Sequence, residues 1–334
     1  MKKNDITRIN KIKNLILSSD SVLVVGHKDM DTDCFGSAMG INTICNYLKK
    51  ECKIQIESVN ESLVPIYNRF KALNEYENVF IDNNTAKKYI NKNTLIIIVD
   101  VHAKSYVENI DLIERHSNKI ILDHHIENKY NKIDDVVFEI ILDYYSSASE
   151  FIGEIMKNLL IDFPISKMVA EVLIAGIALD TKGFWYRTDS YTFSILSYLT
   201  SFGVDMLKIK SMFSEDFDEY NLKTGIISKA YIQDNIALVL LPNSVKDKLM
   251  LSLVVDDLLN INGINVSFGL MKLGDDVFIS ARSLYDFNVQ YIMESLGGGG
   301  HYQMAAARLE NIELIDAQII LEKKIIEYIG GQKK

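Results

Sequence analysis

Aspartates and histidines recur along the first 180 residues wherever a short apolar run or a helical pattern gives way to polar sequence. His27, Asp31 and Asp33 lie in the stretch His27-Lys28-Asp29-Met30-Asp31-Thr32-Asp33; Asp100 follows Leu95–Val99; Asp123-His124-His125 follows Ile120-Ile121-Leu122; Asp180 opens Asp180-Thr181-Lys182. Taken singly, such an aspartate serves as a turn or cap residue, and a lone histidine packs in a core. Together, carboxylates and imidazoles are the donor set of divalent cations. Carboxylates gathered in one crevice repel by about 4 kcal/mol for each pair about 4 Å apart at an effective dielectric near 20, so without cations some would stay protonated. Two divalent ions balance the charges of Asp31, Asp33, Asp100 and Asp180. A mixture of carboxylates and imidazoles suits Mn²⁺ better than Mg²⁺, and it lacks the thiolates of structural zinc. Two ions about 3.5–4 Å apart can hold a bridging hydroxide and clamp a phosphoryl group through an in-line displacement. The expected chemistry is hydrolysis of a phosphate ester, with Asp100, central in the order of strands, reaching both ions.

These side chains can cooperate only if the fold brings them to one place. Val22–Val25, Leu95–Val99 and Ile120–Leu122 are short, rich in Val, Ile and Leu, and bounded by polar residues, as strands buried on both faces are. Between them lie helical patterns. Phe35, Ala38, Met39, Ile41, Ile44 and Leu48 recur mostly at three- and four-residue steps, as do Ala148, Phe151, Ile152, Ile155, Met156 and Leu159, with Ser146 or Ser147 as the cap. Residues 165–179 are apolar nearly all round, which predicts a helix packed deep in the domain. Strands alternating with helices predict an α/β fold with a parallel sheet, and such sheets bind ligands beyond the carboxyl ends of their strands.

The apolar rhythm breaks at Ser214–Tyr220, and residues 221–234 read as a connecting helix. The expected organisation is a catalytic domain over residues 1–213, a linker over 214–233 and a smaller α/β domain over 234–330. In the latter, 236–241 reads as a strand, 245–259 as a helix, and 265–273 with 277–283 as a hairpin through Gly274-Asp275-Asp276. Helices are expected on both sides of Gly297-Gly298-Gly299-Gly300. Part of that run suits a helix C-cap. Ahead of His301 and a helix start, it also suits backbone N–H groups approaching a phosphate.

Bulk properties narrow the partners. A chain of 334 residues with net charge −9 lacks the broad basic surface that tracks long nucleic acids, yet a small anion held in one pocket is compatible with it. No apolar stretch approaches the roughly 20 residues of a membrane span, and Met1-Lys2-Lys3-Asn4-Asp5 leads into a polar helix rather than a secretory segment. The expected location is cytoplasmic. Cys34, Cys45 and Cys52 read as free thiols; for Cys34, beside Asp33, a buried helix position is the default and a metal ligand the second reading.

The ordered set His27-x-x-x-Asp31-x-Asp33, Asp100, Asp123-His124-His125, Asp180 and Gly297–His301 resembles the DHH phosphoesterase superfamily with its DHH-associated domain, over nearly the whole chain. Within it, Gly26-His27-Lys28, Val99-Asp100-Val101-His102, Tyr145-Ser146-Ser147-Ala148-Ser149-Glu150, Leu179-Asp180-Thr181-Lys182 and Ser280-Ala281-Arg282-Ser283 resemble the catalytic region of membrane-anchored cyclic di-AMP phosphodiesterases that carry a degenerate GGDEF domain. The resemblance implies one Mn²⁺ on His27, Asp31 and Asp100 and another on Asp33, Asp100, His124 and Asp180. It places His125 at the scissile phosphate and Arg282, Gly299, Gly300 and His301 on the nucleotide, with cyclic di-AMP as substrate and linear 5′-pApA as product. The sequence departs from those relatives after His301, where Tyr302-Gln303-Met304 replaces an expected Thr-Asn. It also lacks their upstream membrane helices, which makes it a free-standing unit or one excised from a longer chain. The rival readings are an exonuclease for very short RNA, a catalytically silent cyclic dinucleotide receptor and, more remotely, a family II-type pyrophosphatase, whose second domain would need a Lys/Arg-rich grip. A homodimer and the choice between adenine and guanine are left open.

Overall fold

The strands read from the sequence form, and others join them. The computed structural model describes residues 3–126 and 131–332; Met1 and Lys2, where the opening polar stretch begins, lie outside them. Contacts divide the chain into two units, Met1–Ser214 and Glu215–Lys334. The first holds β1 (Ser21–Val25), β2 (Glu51–Gln55), β3 (Phe80–Ile81), β4 (Thr94–Val99), β5 (Lys119–Asp123) and β6 (Phe138–Ile141). They make one parallel sheet in the order β3-β2-β1-β4-β5-β6.

Alternation along the central strands explains their continuous hydrophobicity. Val22, Val24, Leu95, Ile97, Val99, Ile120 and Leu122 enter one core, and Leu23, Val25, Ile96, Ile98 and Ile121 enter a second on the opposite face. The first core is closed by the helices Thr32–Tyr47, Ala148–Leu159 and Lys167–Asp180. The last is buried from Val169 through Ala178, which is why its apolar residues show no single face. Ser147 caps the second, its Oγ accepting from the Glu150 N–H at 3.0 Å. β1 and β4 are hydrogen-bonded neighbours whose chain connections leave in opposite directions across the sheet. That is the switch point at which open α/β sheets leave a crevice.

The second unit begins with the helix Phe217–Ile227, shorter than the 221–234 span expected for it; Tyr231–Gln233 is instead the edge strand β7. β8 (Ile236–Leu240), β9 (Val266–Leu273), β10 (Asp276–Ser283), β11 (Gly299–His301) and β12 (Met304–Leu309) complete a mixed sheet in the order β11-β12-β10-β9-β8-β7. The hairpin of β9 and β10 forms as read, and a helix at Lys248–Leu258 packs beside it. The expectation of a helix after His301 is corrected: residues 304–309 are a strand, with Ala305 and Ala307 buried and their neighbours outward. The period-two burial of this segment is that of a strand, and it overrides the helix propensity of Ala305-Ala306-Ala307. No helix among the described residues is long and apolar enough to cross a membrane.

Candidate metal centre

The loop after β1 carries His27 and Asp31. Asp31 is the N-cap of the helix Thr32–Tyr47, its Oδ1 accepting from the Asp33 and Cys34 N–H groups at 2.9 and 3.0 Å. Asp33, one residue into that helix, is buried, and its two oxygens accept from the Ala148 and Ser149 N–H groups at 2.8 Å each. The carboxylate thus sits on the N-terminus of a second helix, where unpaired N–H groups and the helix dipole favour negative charge. Asp100 directly follows β4 with φ of +59°, a left-handed angle that aspartate tolerates better than most residues. Asp123 ends β5, and Asp180 ends the buried helix.

From these separate elements the side chains meet. His27 Nε2 lies 3.6 Å from Asp31 Oδ1 and 3.5 Å from Asp100 Oδ2. His124 Nε2 lies 3.3 Å from Asp100 Oδ1, 3.0 Å from Asp180 Oδ2 and 3.8 Å from Asp33 Oδ2. Asp100 therefore stands between the two imidazoles, with one oxygen toward each. Asp100 Oδ1 and both His124 nitrogens are buried without a hydrogen-bond partner. Donor atoms 3.0–3.8 Å apart that make no hydrogen bond with one another are arranged as ligands aimed at shared centres. Asp33, His124 and Asp180 form one grouping able to hold a cation, and His27 and Asp100 belong to another. On donor chemistry and geometry, the residues fit a pair of divalent ions.

Without cations the centre is frustrated. Burial and the neighbouring Asp100 and Asp180 charges push Asp33 well above the usual carboxylate range; burial and Asp100 also raise Asp180. Burial favours a neutral imidazole at His124, yet the carboxylates of Asp100 and Asp180 outweigh it and raise its pKa to about 11. His27 is raised too: burial opposes, but Cys34, Asp100 and Asp31 prevail.

Sequence reasoning left His102 and Asp123 without a role. Asp123 is fully buried; its Oδ2 pairs with His102 Nδ1, and its Oδ1 accepts from His124 N and, at 2.8 Å, pairs with His125 Nδ1. Burial raises its pKa, but His102 and His125 dominate and hold it below the usual range. It orients the half-exposed His125 at the centre's edge. The clue was the Asp-x-His spacing of Asp100 and His102, which puts both just beyond β4. Cys34 is fully buried in its helix, as the default reading expects, yet groups with His27 and Asp100; burial leads the rise of its thiol pKa to about 12.

The remaining predicted residues belong to the second unit. Gly299, Gly300 and His301 are exposed on β11. Gly297, at φ +78°, follows the end of the helix Val289–Ser295, as a C-cap does. At Gly300 a Cβ would lie 2.5 Å from Ala305 Cα, so this glycine also lets β11 lie flat on β12. Arg282 is buried and turned inward, its Nε donating to Asp256 at 2.8 Å and its guanidinium to Ser280 Oγ and the Ala281 carbonyl. In the first unit, beyond Asp180, the aromatic stretch Phe184-Trp185-Tyr186 has Phe184 packed against the first core and Trp185 84% exposed.

An α/β sheet with a carboxylate–imidazole cluster at its switch point defines the class, and comparison with known sequences places the chain within it. Residues 21–177 match the DHH family, N-terminal domain, and residues 234–329 match the DHHA1 domain. The chain belongs to the DHH family and carries a DHHA1 domain as its second unit. It is 33% identical over 327 residues to the cyclic-di-AMP phosphodiesterase GdpP of Geobacillus thermodenitrificans, a match covering 96% of this chain and 50% of GdpP. The chain thus spans about half the length of that relative. It is 24% identical to the bifunctional oligoribonuclease and PAP phosphatase NrnA of Mycoplasma genitalium, covering 98% of this chain and 99% of NrnA. The crystal structure of an exopolyphosphatase-related protein from Bacteroides fragilis superposes with a TM-score of 0.81 at 21% identity, covering 98% of each chain, and shares the fold.

Proposed function

We propose that the chain is a metal-dependent phosphodiesterase that hydrolyses cyclic di-AMP to 5′-pApA with two Mn²⁺ ions, acting in the cytoplasm. The observation that carries this reading is Asp100, buried between His27 and His124 with one oxygen within 3.5 Å of each. The substrate class is supported by the 33% identity with a cyclic-di-AMP phosphodiesterase over 96% of the chain.

His27, Asp31 and Asp100 would hold one ion, and Asp33, Asp100, His124 and Asp180 the other. Bound ions supply the Lewis acidity that lowers the pKa of an attacking water and neutralises the phosphate. The chain does the rest. Asp33 and Asp31 are pinned by backbone N–H groups, so the donor set is preorganised. His125, with Nδ1 committed to Asp123, would have Nε2 left for an oxygen of the scissile phosphate. Gly299, Gly300 and His301 would bind the nucleotide through exposed backbone and imidazole. Arg282, anchored on Asp256, would join them on the nucleotide.

The nearly full-length match to NrnA supports a second reading, an exonuclease acting on very short RNA. The test is to incubate the protein with Mn²⁺ and cyclic di-AMP, cyclic di-GMP, pApA or longer oligoribonucleotides, and to separate the products by chromatography. Preferred cleavage of cyclic di-AMP supports the first reading, and preferred cleavage of pApA the second. Binding of cyclic di-AMP without turnover would make the chain a receptor. Activity surviving in an Asp123/His124/His125 triple-alanine variant would remove the assigned centre.

A further inference from the structure

We propose that Tyr106 is the wall against which a nucleobase of the substrate stacks, which makes it a specificity-determining residue; the inference rests on the phosphodiesterase reading and names how the base is held. The cavity at the metal centre has a volume of about 410 Å³ and is lined not only by His27, Asp31, Asp100 and Asp180 but also by Tyr106 and Ile126. That volume suits a small-molecule ligand, in the range of about 300–1,000 Å³. Charged ligands of a metal engage the phosphate and have nothing to offer the flat apolar face of a base. Tyr106 and Ile126, 64% and 58% exposed, offer such a surface inside the same cavity.

An exposed tyrosine on a loose loop would mean little, but Tyr106 is clamped. Its N–H donates to the Ala103 carbonyl at 3.0 Å, and its carbonyl accepts from the Lys28 N–H at 2.8 Å. Lys28 Nζ donates to the Ser105 carbonyl at 2.8 Å, and His27 pairs with Val107 as an isolated β-bridge. Lys28, and His27 through Val107, therefore fix the backbone that carries the Tyr106 ring in register with the metal-ligand loop. A phosphodiester seated on that loop would carry its base to a nearby wall, and among the residues lining the cavity the aromatic ring outside the imidazoles is Tyr106. Trp185 is more exposed but is not among the residues lining this cavity. Stacking gains with the size of the π system, so Tyr106 favours purines over pyrimidines and does not by itself separate adenine from guanine.

The test measures equilibrium binding of two probes to the Mn²⁺-loaded full chain: the phosphorothioate analogue of cyclic di-AMP and the same cyclic phosphorothioate lacking both bases. Tyr106→Ala is expected to weaken the base-bearing probe by about 5- to 150-fold, the range of single base–aromatic stacks, and the abasic probe far less. Tyr106→Phe, which keeps the ring, should rescue most of that difference. Tyr106→Leu, which keeps bulk without a π face, should not, and it replaces the alanine variant if Mn²⁺ uptake shows that the latter disturbs the loop. Equal weakening of both probes, or no weakening of either, overturns the assignment. Failure of the wild-type protein to bind either probe overturns the dinucleotide reading itself, and the role of Tyr106 with it.

Discussion

Gly176 leaves the space that the Asp33 carboxylate occupies: a Cβ built on it would lie 2.7 Å from Asp33 Oδ1 and 2.8 Å from Asp33 Cα. Two helices approach one another at the metal centre only because that position carries no side chain. Gly176→Ala is therefore expected to displace Asp33 from the Ala148 and Ser149 N–H groups and to destabilise the fold by about 1–3 kcal/mol, as overpacking does. Urea unfolding with and without Mn²⁺ reads both effects. Unchanged stability and unchanged metal affinity together would show that Asp33 is not confined in this way.

Asp100→Asn keeps the left-handed backbone required just after β4, because asparagine tolerates it. What it removes is the charge between His27 and His124. Metal affinity should fall by more than about 100-fold, beyond the loss typical of an outer partner, while the metal-free protein stays folded. Calorimetric Mn²⁺ titration and circular dichroism decide it; near-normal uptake would dethrone Asp100 as the shared ligand.

Protons and a bound cation would compete for this centre. In the metal-free protein His124 is raised to about 11 by Asp100 and Asp180 against the opposing effect of burial, and Asp33 and Asp180 are raised as well. A histidine raised on folding contributes stability fully below its unfolded value of about 6.5, and that contribution is lost as pH rises toward 11. Raised carboxyls add to the same trend, since ionising them in the fold is costly. The metal-free melting temperature should fall as pH rises from 6 to 9, and Mn²⁺ should reverse the trend, because ions displace those protons. Calorimetry in two buffers of different ionisation enthalpy should register proton release on Mn²⁺ binding; identical heats would contradict it.

Much of this centre is legible in the order of residues alone, and the reason is local. β1, β4 and β5 are buried on both faces, so each reads as an unbroken apolar run whose end marks the next polar residue as a site position. β2, β3 and β6 carry no such signal, because Glu51–Gln55 mixes polar residues in, Phe80–Ile81 is two residues long, and Phe138–Ile141 lies at the sheet edge. The pairing of Asp33 with N–H groups 115 and 116 residues away is invisible to any local pattern. So is the ion pair that joins Arg282 to Asp256, 26 residues away.

Asp123 links His102 to His125. Asp123→Asn exchanges one acceptor oxygen for an NH₂ group and leaves at least one of the donors around it without an acceptor in a buried place, at a cost of about 1–3 kcal/mol. Turnover should drop by about 10- to 100-fold with a smaller change in Mn²⁺ uptake, since the residue orients the centre rather than filling it. Loss of uptake as large as the loss of turnover would make Asp123 a direct ligand instead.

The order of strands in the first sheet has a bearing on synthesis. Because β1 lies against β4 and the last donor, Asp180, ends a helix built from residues 167 onward, the cluster has no complete precursor in any shorter stretch of chain. A polypeptide emerging from the ribosome presents His27, Asp31 and Asp33 early, yet the full donor set is present only once the chain has been released through Asp180. On the proposed reading, the choice of ion would then rest with the assembled site rather than with the nascent segment.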